Sequence, residues 1–283
     1  MRTAAILTVF VVVAVLAACG ENQTHPDRAS YDAGPEQPLS CVPNLDGQIV
    51  RGELGAAIGV PARYLVSPTG VARTVNLNGS VDAAGHKIWN WSADYADDQA
   101  ATIVASAPAG KWYADKFPGA QFVSPFDAGG AIEAVYSEDD SAIYLLGLAS
   151  AQQSPADGQT LYVYDAPVPF LRFPLAAGKS WTSVGATKNQ VLRGLPFAGK
   201  DTYEVTVDAA GQLVLPDLTF TQALRVRTKI TIEATVGATT TQFQDSYFFE
   251  CFGEVARATS KINETNADFT SALEMRRLGL PTR

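Results

Sequence analysis

Apolar and polar residues alternate with period two through much of the second half of the chain. Tyr203, Val205 and Val207 interleave with Glu204, Thr206 and Asp208. Leu224, Val226, Ile230 and Ile232 interleave with Arg225, Arg227, Lys229, Thr231 and Glu233. Successive side chains of a strand point to opposite faces, so this pattern predicts strands with one buried and one wet face. Asp208-Ala209-Ala210-Gly211 reads as the turn between the two, because Asp initiates turns and Gly accepts positive φ. After a turn at Gly237, Phe243, Tyr247, Phe249 and Cys251 share a face of the next strand. Residues 254–262 and 269–278 follow as two more strands, joined around 263–268. Sequential strands with tight turns make an antiparallel meander. One this long must twist and curl, so the fold expected is all-β: a half-barrel or open barrel with little helix.

The first half is less regular. Residues 71–81 and 87–92 read as a hairpin turning at Asp82-Ala83-Ala84-Gly85, and 131–136 with 142–148 as another turning at Ser137-Glu138-Asp139-Asp140. Residues 111–126, with aromatics and two prolines, read as a short helical turn plus loop. Val-Asp-Ala-Ala-Gly occurs at 81–85 and at 207–211, and turn chemistry alone accounts for the repetition. Residues 20–40 are polar and Pro-rich without periodicity, which suits a tether.

The chain opens differently. Arg2 is followed by an apolar run over residues 4–18, too short to span a bilayer comfortably but right for a secretory leader. The run ends in Leu16-Ala17-Ala18-Cys19, which resembles the lipobox of bacterial lipoproteins. That resemblance implies cleavage before Cys19, a diacylglyceryl group on its sulfur and an acylated amino group. Two or three chains hold a protein on a membrane where one holds it only marginally. Gly20 in place of Asp implies outer-membrane delivery by the sorting rules of enterobacteria. The layout expected is therefore a signal peptide at 1–18, a lipidated Cys19 and tether over 19–40, and a β-rich domain over 41–283, with candidate sub-halves 41–160 and 161–283.

The 283 residues carry a net charge of −8, which argues against nucleic-acid binding through a basic patch. With Cys19 committed to lipid, Cys41 and Cys251 form an even pair in an oxidising compartment, and a disulfide between them is expected. Two histidines, His25 and His86, leave few ligands for a transition metal, so no metal site and no cofactor are expected.

A wider resemblance rests on Phe173-Pro174-Leu175, Gly178 and Trp181, then Leu215-Pro216, Phe220 and Ala223-Leu224-Arg225-Val226, then Tyr247-Phe248 and Gly253-Glu254-Val255. Their order is similar to that of uncharacterised bacterial envelope lipoproteins with a curved antiparallel sheet, in outline like the LolA/LolB half-barrels. This likeness implies a concave apolar face that holds an acyl chain.

The motifs of enzyme chemistry fall short. Gly194-Leu-Pro-Phe-Ala-Gly199-Lys200 has phosphate-loop spacing, but Asp201 stands where the Mg²⁺-binding hydroxyl belongs, and a strand follows where the motif needs a helix. A hairpin loop explains it. Gly178-Lys-Ser180-Trp-Thr182 lacks the final Gly of a nucleophile elbow. His86 is the one candidate base, on a surface turn, and the pairs Asp97-Asp98 and Asp139-Asp140 read as solvated loops with calcium the alternative. No catalytic residues are assigned. Trp89, Trp91 and Trp112 sit in the densest aromatic region; they read as core, with ligand contact as the alternative. The expectation is an envelope lipoprotein acting as a binding or structural module, its partners the membrane through the anchor and a lipid, glycan or envelope protein. The alternatives are a carrier of lipid or another apolar ligand, and a hydrolase whose site is scattered in sequence.

Overall fold

A computed structural model describes residues 41–54, 58–127 and 129–280. The leader, Cys19 and the tether lie outside the described residues. These described residues belong to one compact unit.

The first elements are β1 (Gln48–Ile49), α1 (Arg51–Leu54), β2 (Pro61–Val66), β3 (Arg73–Thr74), β4 (Ser80–Val81), β5 (Lys87–Asn90), β6 (Gln99–Val104), a 3-10 turn (Ala114–Lys116) and β7 (Phe122–Pro125). Then come β8 (Ile132–Glu138), β9 (Ala142–Ser150), β10 (Leu161–Arg172), β11 (Leu175–Ala176), β12 (Ser180–Leu192), β13 (Leu195–Val214) and β14 (Thr219–Ala234). The last are β15 (Thr240–Phe249), β16 (Gly253–Thr259), β17 (Ser271–Ala272) and β18 (Glu274–Leu278).

Twelve of these strands pair antiparallel in the order β6-β2-β18-β16-β15-β14-β13-β12-β10-β9-β8-β7. The ends of that path meet where Ser106 and Val123 exchange backbone hydrogen bonds of 2.9 and 2.8 Å. The sheet is thus a barrel closed nearly all the way round, as the meander predicted. Strands from both sides of residue 160 belong to it.

One end of the barrel is plugged. β1 pairs with β11, placing Gln48 opposite Ala176 and Ile49 opposite Leu175. The Asn44 and Leu45 amides donate to Glu250 Oε2, and the Cys251 amide to the Glu53 carbonyl. Arg51 reaches Glu138 and Asp140 in the β8–β9 turn. Cys41 and Cys251 form the expected disulfide, with Cα atoms 5.6 Å apart and 210 residues between them. Closing so long a loop contributes up to about 5 kcal/mol on the chain-entropy model. Segment 41–54 thus spans three turns of the barrel rim, and Ile49 and Leu54 are buried against the core inside.

That core fills the plugged end with Val205, Val207, Leu224, Val226 and Phe248, and runs up β10 and β13 through Tyr162, Tyr164 and Tyr203. Two further clusters lie on the outer face. Trp89, Trp91, Leu213 and Ala223 pack with Tyr247 and Met275 under segment 75–95, and Tyr113 and Phe117 cover Val123, Val135 and Ala149.

These outer covers correct several expectations. Arg225 is buried, not wet: its guanidinium grips Asp208, donates to the Leu77 carbonyl and lies over the Trp89 ring. Residues 208–211 are not a turn, because β13 continues through them. A bulge at Asp208 absorbs the misfit against β14, and Gly211 lies beside β5, which adds in parallel. The real turn comes at Leu215-Pro216-Asp217-Leu218, where the Leu215 amide donates to the Leu218 carbonyl. In the first hairpin only β4 pairs with β5, and the 73–74 stretch pairs instead with β17. Residues 111–126 hold a strand, β7, besides the helical turn. Asp98 is not a solvated loop carboxylate. It is buried between Arg73 and Arg277, and Tyr95 lies under both guanidiniums at 4.2 and 5.1 Å. The phosphate-loop mimic is a hairpin: Arg193 and Gly194 both take positive φ between β12 and β13.

Candidate functional site: the barrel lumen

Opposite the plug, the lumen opens as a cavity of about 790 Å³. Its walls come from the strand ends of that mouth: Val66 on β2, Ala101 on β6, Ile132 on β8, Ile230 on β14, Gln242 and Gln244 on β15, Arg257 and Thr259 on β16, Glu274 and Arg276 on β18. Period two explains the membership. Cross-strand partners share a face, and the register pairs Ile230 with Gln242, Gln244 with Thr259, Thr259 with Glu274, Arg257 with Arg276 and Arg276 with Val66. Their sequence neighbours Ala256, Ala258 and Met275 point outward into the core beneath Trp89 and Trp91.

The polar groups of the cavity are partly spent. Arg257 donates through Nε to Glu254 Oε1 at 2.8 Å. Among the described residues its two terminal nitrogens have no hydrogen-bond partner. Arg276 donates to Glu274 Oε1 through Nε at 2.9 Å and Nη2 at 2.6 Å, with a 3.4 Å contact from Nη2 to the Phe126 carbonyl. Its Nη1 has no partner among the described residues. Gln242 gives its amide to the Ser260 carbonyl and Gln244 to Ser246 Oγ, which leaves both amide oxygens as acceptors. Asp127, at the rim, accepts from the Ala131 and Ile132 amides.

Burial acts against the charge on Arg257, but Glu254, with Glu274 further off, outweighs it and holds the guanidinium above its ordinary value. Tyr136 lies in the same field. Burial pushes its phenol up to about 12, with Arg257 and Arg276 pulling down and Glu254 pushing up. Tyr64 donates to the Glu254 carbonyl at 2.5 Å, and its phenol is raised further, again by burial first. The cavity therefore presents guanidinium donors and amide acceptors, with the two phenols buried beside it.

Deeper in the same interior, Tyr162 and Tyr164 donate to Asp201 Oδ2 at 2.9 and 2.6 Å, and Tyr164 meets the Tyr203 hydroxyl at 2.7 Å. Burial raises the Asp201 carboxyl, and the two tyrosine hydrogen bonds oppose it.

The aromatics singled out in the sequence lie elsewhere. Trp89 and Trp91, 0% and 3% exposed, pack edge-on against Tyr247 on the outer face of the sheet. Trp112 is half-buried, donates to the Ser150 carbonyl and packs against the Tyr113 cluster. None of the three lines the lumen. His86 sits on the exposed β4–β5 turn, 3.0 Å from Asp82, and does not line it either. Asp139 and Asp140 lie at the plugged end: Asp139 caps the turn through Ser141 and Ala142, and Asp140 meets Arg51. Among the described residues no cluster of three or more His, Cys, Asp or Glu side chains is placed to hold a metal ion.

Sequence reasoning passed over Arg257, Arg276, Gln242 and Gln244. The signal available was the charge pattern itself, Glu254-x-x-Arg257 and Glu274-x-Arg276, on two short strands. It becomes a site only once the two strands are paired. No protein-family model, no curated protein and no solved structure matches this chain.

Proposed function

We propose that this chain is a lipid-anchored binding module of the bacterial cell envelope, delivered to the outer membrane through Cys19, that takes a small polar ligand into the lumen of its barrel. The observation that carries the reading is the cavity of about 790 Å³, within the range of small-molecule sites, open at one end and lined by a few convergent polar groups. An acyl chain is best served by a continuous hydrocarbon wall. Here much of the apolar interior is already occupied by packed side chains, and the open part sets arginine and glutamine among apolar groups such as Val66, Ala101, Ile132 and Ile230, so its hydrocarbon wall is interrupted. Cys41 lies at the plugged end, opposite the mouth. A ligand would enter at the mouth, away from the disulfide-closed end.

Native mass spectrometry of the full chain extracted from membranes tests both halves. The expected result is a covalent lipid mass on Cys19 together with a non-covalent small molecule. Ala101→Trp, which fills the lumen from β6, should lose the small molecule and keep the lipid. A chain without lipid contradicts the anchor. A ligand retained undiminished in Ala101→Trp contradicts the lumen.

A further inference from the structure

Arg257 and Arg276 are direct cross-strand partners on the lumen face of β16 and β18. Directly opposed side chains in a sheet stand roughly 5 Å apart at Cβ, and like charges so placed destabilise it. These two are also largely withdrawn from water, with 16% and 3% of their side chains exposed. Their glutamates offset the charge, but from the flanks. Glu254 takes only Nε of Arg257, and Glu274 takes Nε and Nη2 of Arg276. Both terminal nitrogens of Arg257 and Nη1 of Arg276 are left, among the described residues, without a hydrogen-bond partner, on two residues that line the cavity. Of the other carboxylates on the cavity wall, Asp127 is spent on backbone amides and Asp157 is exposed, in the loop between β9 and β10.

We infer that the lumen ligand bears an anionic oxygen group, a carboxylate or a phosphate, held between Arg257 and Arg276. This rests on the reading of the lumen as the binding site. The planar guanidinium fork matches the paired oxygens of such groups, and charge-assisted hydrogen bonds in a cavity shielded from salt are the strong ones. The cluster itself is balanced, two arginines against two glutamates, and the other charged residues of the cavity wall, Arg193, Asp127 and Asp157, lie outside it. The anion supplies the charge that stands between the two guanidiniums. The Gln242 and Gln244 carbonyls, across the same wall, suit hydroxyl or amide donors on the rest of the ligand.

The test uses the full-length protein and two probes, inorganic phosphate and succinate, each against sodium chloride at equal ionic strength. One probe should raise the unfolding temperature in a saturable way, and which one does so distinguishes the phosphate from the carboxylate source. Arg257→Gln and Arg276→Gln should each weaken the apparent affinity by about tenfold or more, the scale of a lost charged hydrogen bond. Gln244→Glu gives the same answer in a variant that keeps both arginines. It is nearly isosteric and sets a carboxylate diagonal to Arg257, so it should abolish the effect of the probe. No rise with either anion, or a rise that survives in Gln244→Glu, overturns the inference. A neutral ligand that co-purifies with the wild type and is lost in Ala101→Trp overturns the anion while keeping the lumen. Loss of both signals overturns the two together.

Discussion

Asp245 shows how much a single buried charge depends on its surroundings. It lies on the outer face of β15, 1% exposed, with Arg227 Nε at 3.2 Å. Burial pushes its carboxyl up to about 7; Arg227 and Arg225 pull it down, and Asp208 and Asp268 add to the rise. The folded chain therefore holds this proton across a window, from about pH 4 to 7, in which the unfolded chain has released it. Stability from this site is present below the window and lost as pH rises through it. Asp245→Asn cannot ionise, so it should gain stability relative to the wild type between pH 4 and 8. Unfolding midpoints of the two proteins across that range check this; a constant difference would refute it. Neither Asp245 nor Asp98 was legible as buried. Periodicity assigns a face, but it does not say that a distant loop covers that face. The same gap hid Arg225, whose cover comes from residues 75–95.

At the level of elements, strand pairing overrode local turn chemistry. Asp208-Ala209-Ala210-Gly211 has the composition of a turn, and the identical run Asp82-Ala83-Ala84-Gly85 does turn, with the Asp82 carboxylate accepting from the Ala84 and His86 amides. At 208–211 the ladder with β14 on one side and β5 on the other holds the backbone extended. Gly211 serves there for a different reason. A Cβ would stand 2.5 Å from the Lys87 carbonyl oxygen and 2.8 Å from the Lys87 Cβ. Gly211→Val should therefore push β5 off the sheet and loosen the seat of Trp89, at a cost of about 1–3 kcal/mol, the usual range for overpacking. Chemical denaturation monitored by tryptophan fluorescence measures it; an unchanged midpoint would show that β5 is not held as described. The meander from β13 to β16 was legible because each strand pairs with its sequence neighbour. The insertion of β2 between β6 and β18, and the parallel docking of β5, were not, because no local pattern encodes pairing between strands so distant in sequence.

For the whole molecule, three separate features converge on one polarity from end to end. Segment 41–54 and the Cys41–Cys251 bridge close one end, packed side chains fill the interior above it, and the far mouth stays open over Arg257 and Arg276. The barrel itself could be read from alternating residues and turns. The lumen site could not, because its two arginines are 19 positions apart and meet only through the β16–β18 register.

A crystal structure of the full chain, extracted from membranes without refolding, tests the binding of a ligand in the lumen most directly. The expected result is density in the cavity touching the terminal nitrogens of Arg257 and the Nη1 of Arg276, with Glu254 and Glu274 in the places described. A lumen holding only water, or closed by side chains that swing inward to satisfy the two arginines, would contradict it.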